Sequence, residues 1–393
     1  MSATDRFNQL LPEVTAWRRH LHANPEIMFD TVDTAGFVEE LLRGFGCDQV
    51  VTGIGRTGVV GVVRGNGNDT APTIGLRADM DALPIHEATG LDYASRNPGA
   101  MHACGHDGHM AMLLGAAKYL AGSRDFDGTA VFVFQPAEEQ GGGGREMCED
   151  GLMQNFGIDE IYGMHNWPGM PVGSFAIRPG AFFASTDLFD ITIRGIGGHA
   201  AMPHKAIDSI HAASQIVVSL QSISSRRTNP VESVVVSVTS FEPSSATHNV
   251  IPEQVVLRGT VRCHSAEVRQ KTEQWLREIV DCTARGFGAR ATVEFAYGYP
   301  VMVNSVEQTQ YAAAIAGKVS GACAEAPPVM AAEDFAFMLN ERPGAYILTG
   351  NDDTASLHDP AYDFNDEATA YGIAWWVNLV ENRKTGNAGA GNS

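Results

Sequence analysis

The chain has 393 residues, more than one ordinary hydrophobic core favours, so two domains are expected. Its composition, 44% hydrophobic and 8% aromatic with 42 glycines, is that of a folded enzyme rather than a disordered chain. A formal net charge of -19 repels phosphate backbones and anionic lipid, which argues against nucleic acid and membrane partners.

Six cysteines (Cys47, Cys104, Cys148, Cys263, Cys282 and Cys323) are widely scattered, and MSATDRFNQLLPEV lacks the basic-then-apolar pattern of a secretory leader. That combination predicts a cytoplasmic protein with reduced thiols. No run of about 18 apolar residues occurs, so no membrane-spanning helix is expected.

In chain order, residues 5–23 and 34–43 read as amphipathic helices separated by an NPE turn. Apolar strands follow at 57–63, 73–78 and 129–135, with a helix at 108–120 between the last two. This is an α/β layout with a largely buried sheet. The motifs RADMDALP, MHACGHD, QPAEE and GMHNWP all fall in loops after strands, where such sheets collect function, so distant segments can converge.

From residue 185 the texture changes to strand 188–194, helix 206–224, strands 233–241 and 254–262, helix 266–285 and strand 291–296. A βαββαβ order is typical of a small two-layer, ferredoxin-like module. Mixed α/β texture returns from Val301, so the expected organisation is a discontinuous catalytic domain, 1–184 and 300–393, with 185–299 inserted. The Gly/Asn-rich tail RKTGNAGAGNS is expected to be frayed.

Chemistry concentrates in MHACGHDGHM, where Cys104 and His106 are two apart and His109 lies one helical turn beyond. Alone, Cys-x-His is equally a buried thiol with capping histidines. Glu138 and Glu139, however, follow the strand AVFVFQP side by side. Adjacent carboxylates in one site repel unless a cation binds one and the other can hold a proton, which suits a ligand beside a general base. His165 and His358 each follow a further apolar segment. Asp79 and Asp81, beyond the strand TIGLRA, can orient ligand histidines through hydrogen bonds or simply lie exposed. His199 sits in the glycine-rich turn GIGGHAAMPH, where it reads as an ordinary loop histidine on spacing alone.

With RADMDALP, MHACGHDGH, QPAEE, GMHNWP, GGHAAMPH, HNVIP, AAEDFA and LHDPAYDFND in this order, the chain resembles the metal-dependent aminoacylase and carboxypeptidase family. The likeness is to its branch of hippurate hydrolases and indole-acetyl-amino-acid hydrolases, and it runs from about Trp17 to Trp376. It implies a two-metal site held by Cys104, His106, Glu139, His165 and His358, with Cys104 bridging and Glu138 as general base. It further implies that the inserted module forms a homodimer contact, that His199 serves the partner subunit's active site, and that Asn249 and Arg262 hold substrate. Many members of the wider family have a ligand histidine where this chain has Arg77, as is normal for this branch. Some relatives grip the substrate carboxylate with an arginine where this chain offers Tyr297 and Tyr299, which leaves the carboxylate's partner open.

The expected activity is hydrolysis of an N-acyl-L-amino acid (acetyl, benzoyl or indole-acetyl) with two divalent ions per subunit. Zinc or manganese suits the donors, and cobalt or nickel is admitted. A diaminopimelate deacetylase or dipeptidase of the same family is the alternative, and a homotetramer is an alternative to the dimer. A cysteine hydrolase using Cys104, or a catalytically silent binding relative, belongs to another class.

Overall fold

The computed structural model describes residues 3–68 and 70–383, and the chain divides into two compact units. The first comprises Met1–Gly180, Val303–Pro327 and Asp334–Ser393; the second comprises Ala181–Met302 and Pro328–Glu333. All of the tail expected to fray, save Arg383, lies outside the described residues. No helix among the described residues is long and apolar enough to cross a membrane.

The first unit is built on an eight-stranded sheet. Its first six strands are β1 (Gln49–Ile54), β2 (Gly58–Arg64), β3 (Thr73–Asp79), β4 (Thr129–Gln135), β5 (Glu160–Trp167) and β6 (Phe175–Ile177). In space the order is β1, β2, β4, β3, β5, the strand Gly344–Gly350, β6 and the short strand Ala324–Glu325. β3 runs parallel to β4 and β5, and Gly344–Gly350 runs parallel to β5. Four consecutive strands therefore end on the same edge. Runs such as AVFVFQ are buried on both faces, as central parallel strands require.

Helices α1 (Leu11–Ala23), α2 (Val32–Gly44) and α3 (His106–Ser123) and the helix Ala368–Glu381 contribute to one core with that sheet. α3 is buried nearly all round, which fits its apolar HMAMLLGAA stretch. Two helix starts differ from the pattern reading. Residues 5–23 split into a 3₁₀ turn, Asp5–Phe7, and α1, because Pro12 suits the first turn of a helix but removes an interior donor. α3 starts two residues before the expected 108, because Gly105 adopts a left-handed φ of 86° and turns the chain directly into the helix.

The second unit holds a four-stranded antiparallel sheet in the order Val234–Pro243, Gln254–Cys263, Ser185–Arg194, Arg290–Tyr297. Phe189, Ile191 and Ile193 alternate inward along one strand and share a core with the helices Ser209–Leu220 and Ala266–Gly286. The first helix is shorter than the 206–224 pattern because Asp208 caps it, accepting the amides of Ile210 and His211; its end gives way to a π turn, Ile223–Arg227. The segment Pro328–Glu333 joins this unit, with Val329 and Ala331 carbonyls accepting the Ala184 amide.

One tight helix contact in the first unit lies beside the motif residues. A Cβ at Gly108 would stand 2.3 Å from the ring of Phe364, which is 1% exposed and has no room to retreat. Gly108→Ala should therefore destabilise the protein by about 1–3 kcal/mol, read as a lowered urea midpoint at unchanged m-value. A midpoint equal to wild type would contradict this packing.

Candidate active site

The shared edge of the parallel strands gathers the motif residues of the first unit. β3 leads to Asp79 and Asp81, β4 to Glu138 and Glu139, and β5 carries His165 near its end. The strand Gly344–Gly350 leads to the loop of His358, and Cys104 and His106 enter from the start of α3. Cys104, His106, His165 and Glu138 are 7%, 1%, 6% and 6% exposed, whereas the His358 side chain is half exposed.

Of the five sets of ligand-type atoms lying within 4.8 Å of one another among the described residues, three join the candidate donors: Cys104, His106 and His165; Cys104, Glu139 and His358; and His106, Glu138 and Glu139. The first two share the Cys104 sulfur, which lies 3.4 Å from His165 Nε2. Glu139 Oε1 lies 3.3 Å from His358 Nε2 and 4.0 Å from His106 Nε2.

The imidazoles are oriented by backbone carbonyls. His106 Nδ1 donates to the Asp81 carbonyl at 2.7 Å, and His165 Nδ1 donates to the Asn166 carbonyl at 2.6 Å. Both bonds leave Nε2 turned to the pocket, the arrangement by which ligand histidines are usually held. Gly105 is needed here, since a Cβ would meet Asn166 Nδ2 at 2.2 Å and the Tyr362 hydroxyl at 2.5 Å. His358 holds a left-handed φ of 66°, with its amide bonded to the Ala103 carbonyl.

His109 is spent differently. Its Nδ1 donates to Asp79 at 2.7 Å, and its Nε2 accepts the Asn166 amide at 2.9 Å, so neither nitrogen is left for a ligand. Asn166 in turn donates to the Cys104 carbonyl at 2.6 Å and accepts the Tyr362 hydroxyl at 2.7 Å. Asp79 also receives Arg77 at 2.7 Å, and the Arg77 guanidinium reaches Gln135 at 2.8 Å and Asp334 at 3.0 Å. Asp81 departs from the expectation that it orients a histidine with its side chain. Its carboxylate accepts the amides of Glu138 and Glu139 at 2.9 and 3.1 Å. Spacing alone gave no signal for the roles of His109, Asn166 and Tyr362, because their partners are tertiary.

Charge in this pocket is unbalanced. Burial and then Glu139, Glu138 and Asp79 push the Cys104 thiol well above its ordinary pKa. Burial disfavours a charged His106, yet Asp79, Asp81 and Glu139 raise its pKa to about 10. Burial holds His165 neutral, well below the ordinary imidazole value. Burial also works against an ionised Glu139, but His358 and His106 keep it below the usual carboxylate range. Among the described residues, His106 Nε2 and Glu139 Oε1 are buried without a hydrogen-bond partner. A buried imidazole nitrogen without a partner, in a pocket of thiol, imidazole and carboxylate, is what a divalent cation satisfies, so the residues present fit a metal.

The remaining sequence candidates lie in the second unit. His199 pairs with Val250 in a two-stranded ribbon, and His199 and Asn249 line a cavity of about 500 Å³ with Ser244, Pro252 and Glu253. Arg262 lies on the strand Gln254–Cys263, half buried, and burial lowers its pKa. Tyr297 donates its hydroxyl to Glu273.

Residues 75–382 match the family described as peptidase family M20/M25/M40. The chain is 40% identical over 366 residues to hippurate hydrolase of Campylobacter jejuni, covering 92% of this chain and 94% of that one. It is 44% identical over 299 residues to N-acyl-L-amino acid amidohydrolase of Geobacillus stearothermophilus, covering 76% and 79%. A solved structure from Bacillus subtilis, a dinuclear metal binding peptidase of the M20 family, aligns with a TM-score of 0.83 at 32% identity over 95% of this chain and 98% of that one. Matches of this extent and identity establish that the chain belongs to peptidase family M20/M25/M40.

Proposed function

We propose that this chain hydrolyses the amide bond of N-acyl-L-amino acids, releasing a carboxylate and a free amino acid, with a divalent metal cofactor. The observation that carries the reading is the convergence of two sets of ligand-type atoms on the Cys104 sulfur, with His106 Nε2 buried and without a hydrogen-bond partner among them. The relatives named hippurate hydrolase and N-acyl-L-amino acid amidohydrolase support acyl-amino-acid substrates over a deacetylase of diaminopimelate or a dipeptidase.

In this reading Cys104, His106, Glu139, His165 and His358 would hold two divalent ions, zinc or manganese, with Cys104 shared. Support comes from the two sets of ligand atoms that meet at its sulfur. When bound, the metal supplies Lewis acidity, acidifying water and polarising the amide carbonyl. Glu138 takes a proton from the attacking water and passes it to the departing nitrogen, because an amide anion leaves too poorly without one. His199 is assigned to the oxyanion, and Asn249 and Arg262 to the substrate, in a homodimer formed through the second unit. The first unit is read as catalytic. The scattered cysteines support a cytoplasmic location.

A thiol nucleophile is disfavoured by the same electrostatics. A catalytic cysteine needs a depressed pKa, whereas burial and neighbouring acids raise that of Cys104. In metal-free protein at pH 7, iodoacetamide should therefore modify exposed Cys282 well before Cys104, as followed by peptide mapping. Preferential labelling of Cys104 would favour the thiol enzyme.

The division of labour between the two acids is tested by substitution. Glu138→Ala should keep metal content near wild type while kcat falls about 10²–10⁴-fold, and Glu139→Ala should lose metal. Equal metal loss in both variants would refute the assignment.

A further inference from the structure

One residue in the pocket touches three others by hydrogen bonds yet belongs to none of the clusters of ligand-type atoms. Asp81 is 1% exposed; its Oδ1 accepts the Glu138 amide at 2.9 Å, and its Oδ2 accepts the Glu139 amide at 3.1 Å. Its carbonyl accepts His106 Nδ1 at 2.7 Å, and its Oδ1 lies 3.7 Å from the same nitrogen. A third carboxylate beside Glu138 and Glu139 is unfavourable unless its charge is met locally, and the two amides meet it.

The backbone it holds is strained. Ala137, immediately before the acid pair, adopts a left-handed φ of 52°, a conformation that L residues other than glycine adopt at a cost. The amides of Gly141 and Gly143 both bond the Ala137 carbonyl from the far side of the turn. The turn is thus fixed at both ends, and on the site side the fixing group is Asp81.

Resting on the reading of Glu138 and Glu139 above, we propose that Asp81 is a positioning residue for both acids and for His106. It sets the general base and two ligands in one geometry without itself touching metal or substrate. The two amide bonds hold the backbone that carries Glu138 and Glu139, and the carbonyl bond fixes the His106 ring. Asp79, two residues earlier, serves the other side of the pocket through His109.

The test compares Asp81→Ala and Asp81→Asn with Asp159→Ala. The last removes a comparable carboxylate-to-amide bond, to Thr73, at the opposite end of β3 on an exposed residue. Zinc and manganese affinities are measured by competition with a chromophoric chelator, and kcat and KM are measured at saturating metal. Asp81→Ala should weaken metal binding about 10–100-fold. With metal restored to saturation, its kcat should stay at least about tenfold low while KM remains within about threefold of wild type. Asp81→Asn, which keeps the volume and one acceptor, should fall between Asp81→Ala and wild type, and it decides the matter if Asp81→Ala fails to fold. Asp159→Ala should match wild type in both readouts. Metal affinity equal to wild type in the Asp81 variants, or full recovery of kcat at saturating metal, would overturn the proposal. A wild-type protein with no chelator-sensitive metal binding would overturn the functional reading itself, and this inference with it.

Discussion

The constraint on which the rest of the site depends is the burial of five anionic or potentially anionic groups, Asp79, Asp81, Glu138, Glu139 and Cys104, in one pocket of the first unit. Such a concentration is untenable unless each charge is met by a hydrogen bond, a cation or a proton. The fold meets them selectively. Asp79 is met by Arg77 and His109, and Asp81 by two backbone amides. In the pocket, His106 Nε2 is left without a hydrogen-bond partner, and Glu139 Oε1 is met only by the half-exposed His358 at 3.3 Å. The polar frame thereby separates residues that support the site from residues left to act in it.

That frame is delivered by topology. Because β3, β4, β5 and the strand Gly344–Gly350 run the same way, four loops open on one edge, and groups more than 250 residues apart in sequence meet there. α3 closes the arrangement: its left-handed Gly105 start aims Cys104 and His106 inward, and its buried body anchors them to the core. His106 and His165 stand on a helix and a strand, whereas Cys104, Glu139 and His358 lie on the turns beside such elements.

Much of this was legible in the sequence. Runs such as TAVFVFQ and GAYILTG declare buried strands by their length and apolar continuity, and the acids and histidines that follow them mark the edge where chemistry gathers. The boundaries set by special backbone geometry were not legible, as at Pro12, Gly105 and Asp208. Short elements such as β1, β6 and the helix Gly143–Glu149 also escape periodicity, having too few residues to show one. The support network was the least readable part. Nothing in the spacing of His109, Asp81 or Asn166 says that one histidine is consumed by Asp79 and Asn166, or that an aspartate grips two amides about 57 residues away. For the five proposed metal donors, spacing supplied the residue types, and the family resemblance supplied the roles.

The central claim is that the pocket completes itself with a divalent cation and then cleaves acyl-amino-acid amides. It is tested most directly by following amino acid release from hippurate, N-acetyl-methionine, indole-acetyl-aspartate and N-acetyl-diaminopimelate. Each reaction is run on purified protein, on chelator-treated protein, and after zinc, manganese or cobalt is added back. The account predicts that at least one of the N-acyl amino acids is hydrolysed, that chelation abolishes the activity, and that a divalent ion restores it. Turnover indifferent to chelator, or none on any substrate with metal restored, would contradict it.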